Sequence, residues 1–121
     1  MSEVFIYDRN GAASLRLLRT NTFVSFRGIP LGFFDQHRVY DFNGSHRGWF
    51  SGGILRDLHG CVVGFSDDVT DSIKPILPIK KIPPIPMIAR ISPMRPVPSI
   101  PYLRPISASR WSEATPTSLF G

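Results

Sequence analysis

Apolar and polar positions in the first half of the chain recur at intervals of about 16 residues. Four glycines, spaced 17, 16 and 16 residues apart, mark the interval: Gly11, Gly28, Gly44 and Gly60. An apolar residue stands five positions before each glycine and a small polar residue three positions before: Ile6 and Asp8, Phe23 and Ser25, Val39 and Asp41, Leu55 and Asp57. Residues two apart on a strand share one face. The pattern predicts four β-hairpin repeats, each with a glycine in its turn.

The turn and strand residues support this prediction. Asn10-Gly11 and Asn43-Gly44 favour the positive φ angles of tight hairpins. A second glycine, followed by an aromatic residue, comes four positions later at Gly32, Gly48 and Gly64, whereas the first repeat has Leu15 and Arg16 there. A glycine within a strand indicates a bulge or a close backbone approach. The predicted strands are residues 4–7, 14–18, 23–26, 29–34, 39–42, 47–50, 54–58 and 61–65.

The repeats resemble the bacterial 4-fold beta flower proteins, a family of uncharacterised function. The resemblance is carried by Val39-Tyr40-Asp41-Phe42-Asn43-Gly44 with Gly48-Trp49-Phe50, by the stretch 54–65, and by a Pro/Lys-rich tail ending near Ser109-Arg110-Trp111-Ser112. It implies an all-β fold of four hairpins around a pseudo-four-fold axis. It carries no catalytic or ligand-binding residues to transfer to this chain.

Composition changes near residue 73, and this change is the clearest boundary in the chain. Only Pro30 among the 12 prolines precedes residue 75, and only Gly121 among the 10 glycines follows Gly64. Residues 1–73 carry a net charge of −1 and residues 74–121 a net charge of +6. We expect a four-hairpin domain over 1–73, an extended segment over 74–108, here called the tail, and a C-terminal segment over 109–121 with Trp111 as an anchor.

The tail has an aliphatic residue at every third position. This aliphatic ridge has eleven members: Ile76, Ile79, Ile82, Ile85, Ile88, Ile91, Met94, Val97, Ile100, Leu103 and Ile106. A period of three is that of polyproline II, which rises ~3.1 Å per residue. The tail would then extend for about 90 Å, so it must wrap around the domain, project from it or pair with another chain.

The ridge predicts a protein-interaction module. Its docking surface would be the chain's own domain, a second subunit or a groove on a partner, and the candidate binding residues are Ile79, Ile82, Ile85, Ile88, Ile91 and Trp111. The interpretation as a plain linker stays open, as do Pro-x-x-Pro motifs of the kind read by SH3-type grooves. A further alternative, less favoured than a protein partner, is a tether to nucleic acid or an anionic surface through Lys80, Lys81 and Arg90.

Enzyme chemistry is not expected. His37, His46 and His59 lack metal-ligand spacing, and Ser25 interrupts the three Asp of the polar column, which fit turn chemistry better than acid–base or cation-binding roles. We expect no metal and no cofactor. The single cysteine, Cys61, is predicted to be a buried thiol, which with the lack of a leader or membrane span favours the cytoplasm. The acidic loop 66–71 is predicted to be solvated rather than paired with the tail.

Overall fold

A computed structural model describes residues 3–121 of the chain, of which 4–65 form an antiparallel barrel. Its strands are β1 Val4–Tyr7, β2 Ala13–Leu17, β3 Thr22–Ser25, β4 Pro30–Asp35, β5 Arg38–Asp41, β6 His46–Ser51, β7 Ile54–Arg56 and β8 Val62–Phe65. Each strand pairs with the next, and β8 pairs with β1 to close the barrel. The predicted all-β class and the four hairpins around a pseudo-four-fold axis are confirmed. The first two residues of the predicted domain lie outside the described part.

Side chains of the polar column end the strands and shape the turns. The Asp57 carboxylate accepts backbone N–H groups of His59 and Cys61 at 2.9 and 3.0 Å. The prediction of a strand over 54–58 was therefore too long, because the turn begins at Asp57. Asp8 and Asp41 accept equivalent pairs of N–H groups in their own turns. These bonds pair backbone N–H groups of the turns that the strands do not pair.

The apolar column lines the inside of the barrel. Ile6, Phe23, Val39 and Leu55 are all fully buried in one cluster. Three of them lie opposite a strand glycine, as Val39 lies opposite Gly48. A Cβ atom on Gly48 would overlap the carbonyl oxygen of Arg56 on the next strand, so the site has room only for glycine. In the first hairpin Leu15 takes this place and is itself fully buried opposite Ile6.

The C-terminal segment completes the core. A short 3-10 helix, Ser118–Phe120, packs on β6, and its Leu119 joins the cluster inside the barrel with 7% of its surface exposed. The Phe120 ring lies 5.5 Å from the ring of Phe23, centroid to centroid. Residues more than 50 positions beyond the barrel therefore contribute to its interior.

Replacing Leu119 with alanine tests this contribution. We expect Leu119→Ala to lower the free energy of unfolding by about 2–3 kcal/mol, because it removes a buried aliphatic group from a closed core. Urea denaturation followed by Trp fluorescence measures the change. The matched control is Glu113→Ala at an exposed position of the same segment. Equal stabilities of the two variants would show that Leu119 is not part of the core.

Candidate interaction surface

The tail is attached to the barrel by backbone hydrogen bonds that recur every nine residues. Its N–H groups donate to the carbonyls of the four hairpin-turn glycines at 2.8 to 3.1 Å: Lys81 to Gly11, Arg90 to Gly28, Ser99 to Gly44 and Ala108 to Gly60. These four turns all lie at one end of the barrel, since they join β1 to β2, β3 to β4, β5 to β6 and β7 to β8. The tail passes them in order and forms a belt around this end.

The turn glycines make room for the belt. Gly44 has φ of +86°, which only glycine adopts at little cost, and a Cβ atom there would lie 2.9 Å from the carbonyl oxygen of Val97. The same approach by a tail carbonyl occurs at the other three turns, from Ile79, Ile88 and Ile106. Glycine therefore serves both the turn and the contact with the tail.

Arg56 joins the two ends of the belt. Its guanidinium is 2% exposed; Nη1 donates to the Ala108 carbonyl at 2.8 Å and Nη2 donates to the Ile73 carbonyl. Nη2 also forms an ion pair with Asp71 at 3.2 Å. A buried guanidinium needs such partners to offset its desolvation. Because Ile73 precedes the belt and Ala108 ends it, the Arg56 side chain connects the beginning of the belt to its end.

Two further barrel side chains hold the belt between its ends. Arg16 Nη2 donates to the Met87 carbonyl at 2.8 Å. His46 Nδ1 accepts the backbone N–H of Tyr102 at 3.0 Å, and the two rings stack with centroids 5.8 Å apart. The tail has no helix or strand of its own, so barrel side chains pair some of its backbone N–H and C=O groups.

Several basic side chains of the tail turn back toward the barrel. Lys80 forms an ion pair with Asp67 at 2.6 Å, and the Arg95 guanidinium lies 5.2 Å from the ring centroid of Phe33. Arg104 donates to the Ser51 hydroxyl at 2.6 Å. The prediction of a solvated acidic loop was wrong at Asp67, which pairs with the tail, and at Asp71, which pairs with the barrel.

The aliphatic ridge points away from the barrel. Its eleven side chains are 91–98% exposed, whereas the tail residues that are half-buried belong to the other two columns. Of the three docking surfaces that the sequence left open, the chain's own domain is therefore excluded for the ridge, because backbone groups, prolines, polar side chains and Leu77 make the contact instead. Ile79, Ile82, Ile85, Ile88 and Ile91 lie together on this exposed column.

Comparison with known proteins identifies a family that the chain matches. The model of the family described as 4-fold beta flower protein matches residues 4–120. The chain belongs to this family. No curated protein and no solved structure matches it. The family match spans both the barrel and the belt of this beta flower protein.

Trp111 lies apart from the ridge in the beta flower structure. It forms a parallel bridge with Val62 and its ring packs against Phe65, with centroids 6.3 Å apart. It is half-buried on the barrel. The structure therefore brings the predicted Trp111 anchor to the domain and not to the other predicted binding residues.

The remaining candidates for site chemistry are the three histidines and the single cysteine. His37 and His59 are exposed in separate turns, while His46 is buried beneath the belt and Cys61 is a buried free thiol, as expected. Among residues 3–121, no group of three or more His, Cys, Asp or Glu is arranged to hold a metal ion. Nor does any helix in that range have the length and apolar character to cross a membrane.

The nine-residue repeat of the belt was not predicted from the sequence. Its signal is the set of non-proline residues at Lys81, Arg90, Ser99 and Ala108, which must keep an N–H donor. Prolines surround these positions, and the intervening residues differ among the four repeats, so the stronger period of three concealed the longer one.

Proline substitution tests the hydrogen bonds of the belt. We expect Ser99→Pro to release the third quarter of the belt, because it removes the donor that bonds to Gly44 and places a ring at that contact. Ser92→Pro is the matched control at an exposed serine whose N–H is not one of the four donors. Limited proteolysis should cleave the Ser99 variant within the tail at least ~5-fold faster than the control, as loss of about 1 kcal/mol implies. Equal cleavage would contradict the role of this bond.

Acid is expected to loosen the belt at His46. Burial lowers the pKa of His46 below its ordinary value of 6.5, with the Gly48 carbonyl opposing and Arg38 adding to this shift. The neutral ring is needed because Nδ1 accepts from Tyr102 while Nε2 donates to Gly48 at 2.9 Å. The unfolded chain therefore binds a proton first, so this contribution to stability is complete above pH ~6.5 and falls as pH drops through the folded-state pKa.

Denaturation of wild type and His46→Gln between pH 7.5 and 5 measures this effect. The wild type should lose stability across the range, and the variant should lose less, because glutamine does not titrate. His59→Gln, at an exposed histidine, is the control and should keep the wild-type dependence. A steeper loss in His46→Gln than in the wild type would contradict the assignment.

Proposed function

We propose that this chain is a non-enzymatic protein-interaction module whose aliphatic ridge binds an apolar surface of another protein chain. The observation that carries the proposal is the exposure of all eleven ridge side chains at 91% or more, in an unbroken column on a belt held by the barrel. A cytoplasmic location belongs to the proposal and is supported by the single buried thiol of Cys61.

The size of the ridge supports binding. Burial of an aliphatic side chain contributes ~1.5–3 kcal/mol at ~25 cal/mol per Å², so each member presents ~60–120 Å². The ridge as a whole presents roughly 700–1,300 Å² of apolar surface. Monomers rarely expose contiguous apolar patches beyond a few hundred Å². A standard interface buries about 800 Å² on each partner, which is of the same order as the area of the whole ridge.

The attachment of the belt to the barrel also favours binding of a partner. A free chain of this length would lose ~1–2 kcal/mol per residue on ordering. The four backbone bonds to turn glycines and the contacts of Arg16, His46 and Arg56 hold the belt in place before any partner arrives. Binding to a preordered surface avoids much of that cost.

The tether to nucleic acid or an anionic surface is less well supported. Lys80, Arg95 and Arg104 direct their charged groups toward the barrel. Lys81 and Arg90 are exposed, but two such charges give a weak electrostatic site. The plain-linker interpretation is also less well supported, since a linker does not need nine-residue contacts with its own domain.

Site-specific photocrosslinking in cells that express the full chain tests the proposal. A benzophenone amino acid at Ile85 or at Ile91 should form protein adducts at least ~10-fold more efficiently than one at Ser92, because only the first two positions lie on the ridge. Ser92 is the matched control, exposed and next to Ile91 in the chain. Equal or absent adducts at Ile85 and Ile91 would contradict a docking role for the ridge.

A further inference from the structure

We propose that a cavity between the belt and the β4–β5 turn binds a nucleoside monophosphate, with arginines at its phosphate and an aromatic ring against its base. The cavity has a volume of about 360 Å³, and six of its lining residues carry the argument: Gln36, His37, Arg38, Trp49, Tyr102 and Arg104. Pockets of this size hold small organic ligands. The inference goes beyond the proposed function and does not depend on docking of the ridge.

Two guanidinium groups make the cavity cationic. Arg38 and Arg104 line it, and no aspartate or glutamate within residues 3–121 does. Arg104 donates to the neutral Ser51 hydroxyl at 2.6 Å, which does not compensate its charge. A phosphate monoester carries close to two negative charges at neutral pH, and its oxygens accept hydrogen bonds from guanidinium groups. It therefore matches the two arginines in charge, whereas a carboxylate would balance only one of them.

Arg38 differs from other arginines of the barrel in having no acidic partner. Three of these others form ion pairs at 2.8 to 3.2 Å: Arg16 with Glu3, Arg47 with Asp41 and Arg56 with Asp71. Arg38 is half-buried and lies opposite Asp35 in the sheet, yet it forms no ion pair in the part of the chain that the structure describes. A cation without a counter-ion at the wall of a cavity attracts an anionic ligand.

Tyr102 provides a surface for the base. One face of its ring stacks on His46, with centroids 5.8 Å apart and planes inclined by 23°, while 62% of the residue stays exposed. The buried His46 ring in turn meets Trp49 edge to face, with centroids 4.6 Å apart. The Tyr102 ring is thus supported from one side and free on the other. Stacking of a base on such an aromatic face is favourable for every base.

The β4–β5 turn has side chains where glycine would be less strained. Gln36 and His37 have φ angles of 50° and 68°, in the left-handed region that favours glycine. The equivalent turn of the next repeat is Gly52-Gly53, with φ angles of 59° and 79°. Residues other than glycine that are held in this region cluster at ligand sites. The Gln36 amide and the His37 imidazole line the cavity and are suited to hydrogen bonds with the polar edge of a base.

The other three quarters of the structure lack this combination of residues. The positions equivalent to Arg38, six before each turn glycine, are Phe5, Thr22 and Ile54. The positions equivalent to Tyr102, three after each belt donor, are Pro84, Pro93 and Trp111. The hairpin and the belt therefore form without an arginine and a tyrosine at these places, which leaves Arg38 and Tyr102 free to serve a ligand.

Isothermal titration calorimetry of the full chain with adenosine 5′-monophosphate is the experiment. We expect a dissociation constant on the order of 10–100 μM. Arg38→Gln should raise it at least ~10-fold, and so should Arg104→Gln at an exposed position where folding is not at risk. Tyr102→Leu should weaken the nucleotide ~10-fold without changing the weaker binding of inorganic phosphate, because only stacking is lost. Arg27→Gln, at an exposed arginine outside the cavity, removes the same charge and should bind like the wild type.

Four results would overturn the inference. The first is a wild type that does not bind the nucleotide at concentrations up to ~1 mM. The second is equal weakening by Arg38→Gln and Arg27→Gln, which would show that net positive charge alone attracts the nucleotide. The third is binding of adenosine or of inorganic phosphate as tight as that of the nucleotide, because the proposal requires both of its parts. The fourth is tighter binding of a ten-nucleotide single-stranded RNA, which would assign the cavity to nucleic acid instead.

Discussion

The belt depends on a match between two periods. The tail advances nine residues from one turn glycine to the next, which is about 28 Å for an extended chain at ~3.1 Å per residue. Nine is a multiple of three, so the same column of side chains faces outward in every quarter. With the three residues per turn that the sequence predicts for the tail, a step of ten residues would rotate it by a third of a turn at each hairpin. The ridge would then pass in and out of contact with the barrel. The single exposed column is therefore a consequence of the step length.

Attachment through the backbone leaves one column free. The contacts to the barrel use N–H and C=O groups together with prolines, polar side chains and Leu77 from two columns, so the ridge itself contributes little to holding the belt. Arg56 makes this arrangement cooperative, because the ion pair and carbonyl bonds that compensate its buried charge come from both ends of the belt. Removing either end would leave a buried guanidinium short of partners, at a cost of several kcal/mol. Arg56 in this way couples the barrel to both ends of the belt.

Most of the local structure could be predicted from the sequence. Glycine spacing and the apolar column place the eight strands, because period and turn chemistry act over a few residues. The length of β7 was misjudged since Asp57 belongs to the turn. Closure of β8 onto β1 was not predictable from the repeat, as open and closed arrangements share the same hairpin pattern. The role of Arg56 was hidden for a similar reason: its partner Ala108 is 52 residues away.

The direction of the ridge was left open by the sequence, which allowed docking in cis or in trans, and the reason is general. An apolar column usually faces the protein interior, so periodicity kept docking in cis among the alternatives. That rule assumes that the attachment is hydrophobic. Here the turn carbonyls of Gly11, Gly28, Gly44 and Gly60 belong to buried residues and need donors, and a proline-rich chain can offer one only where proline is absent. Satisfying those carbonyls decides which column faces the barrel, and the aliphatic column takes the remaining direction. The polar requirements of the backbone thus determine where the apolar surface is presented.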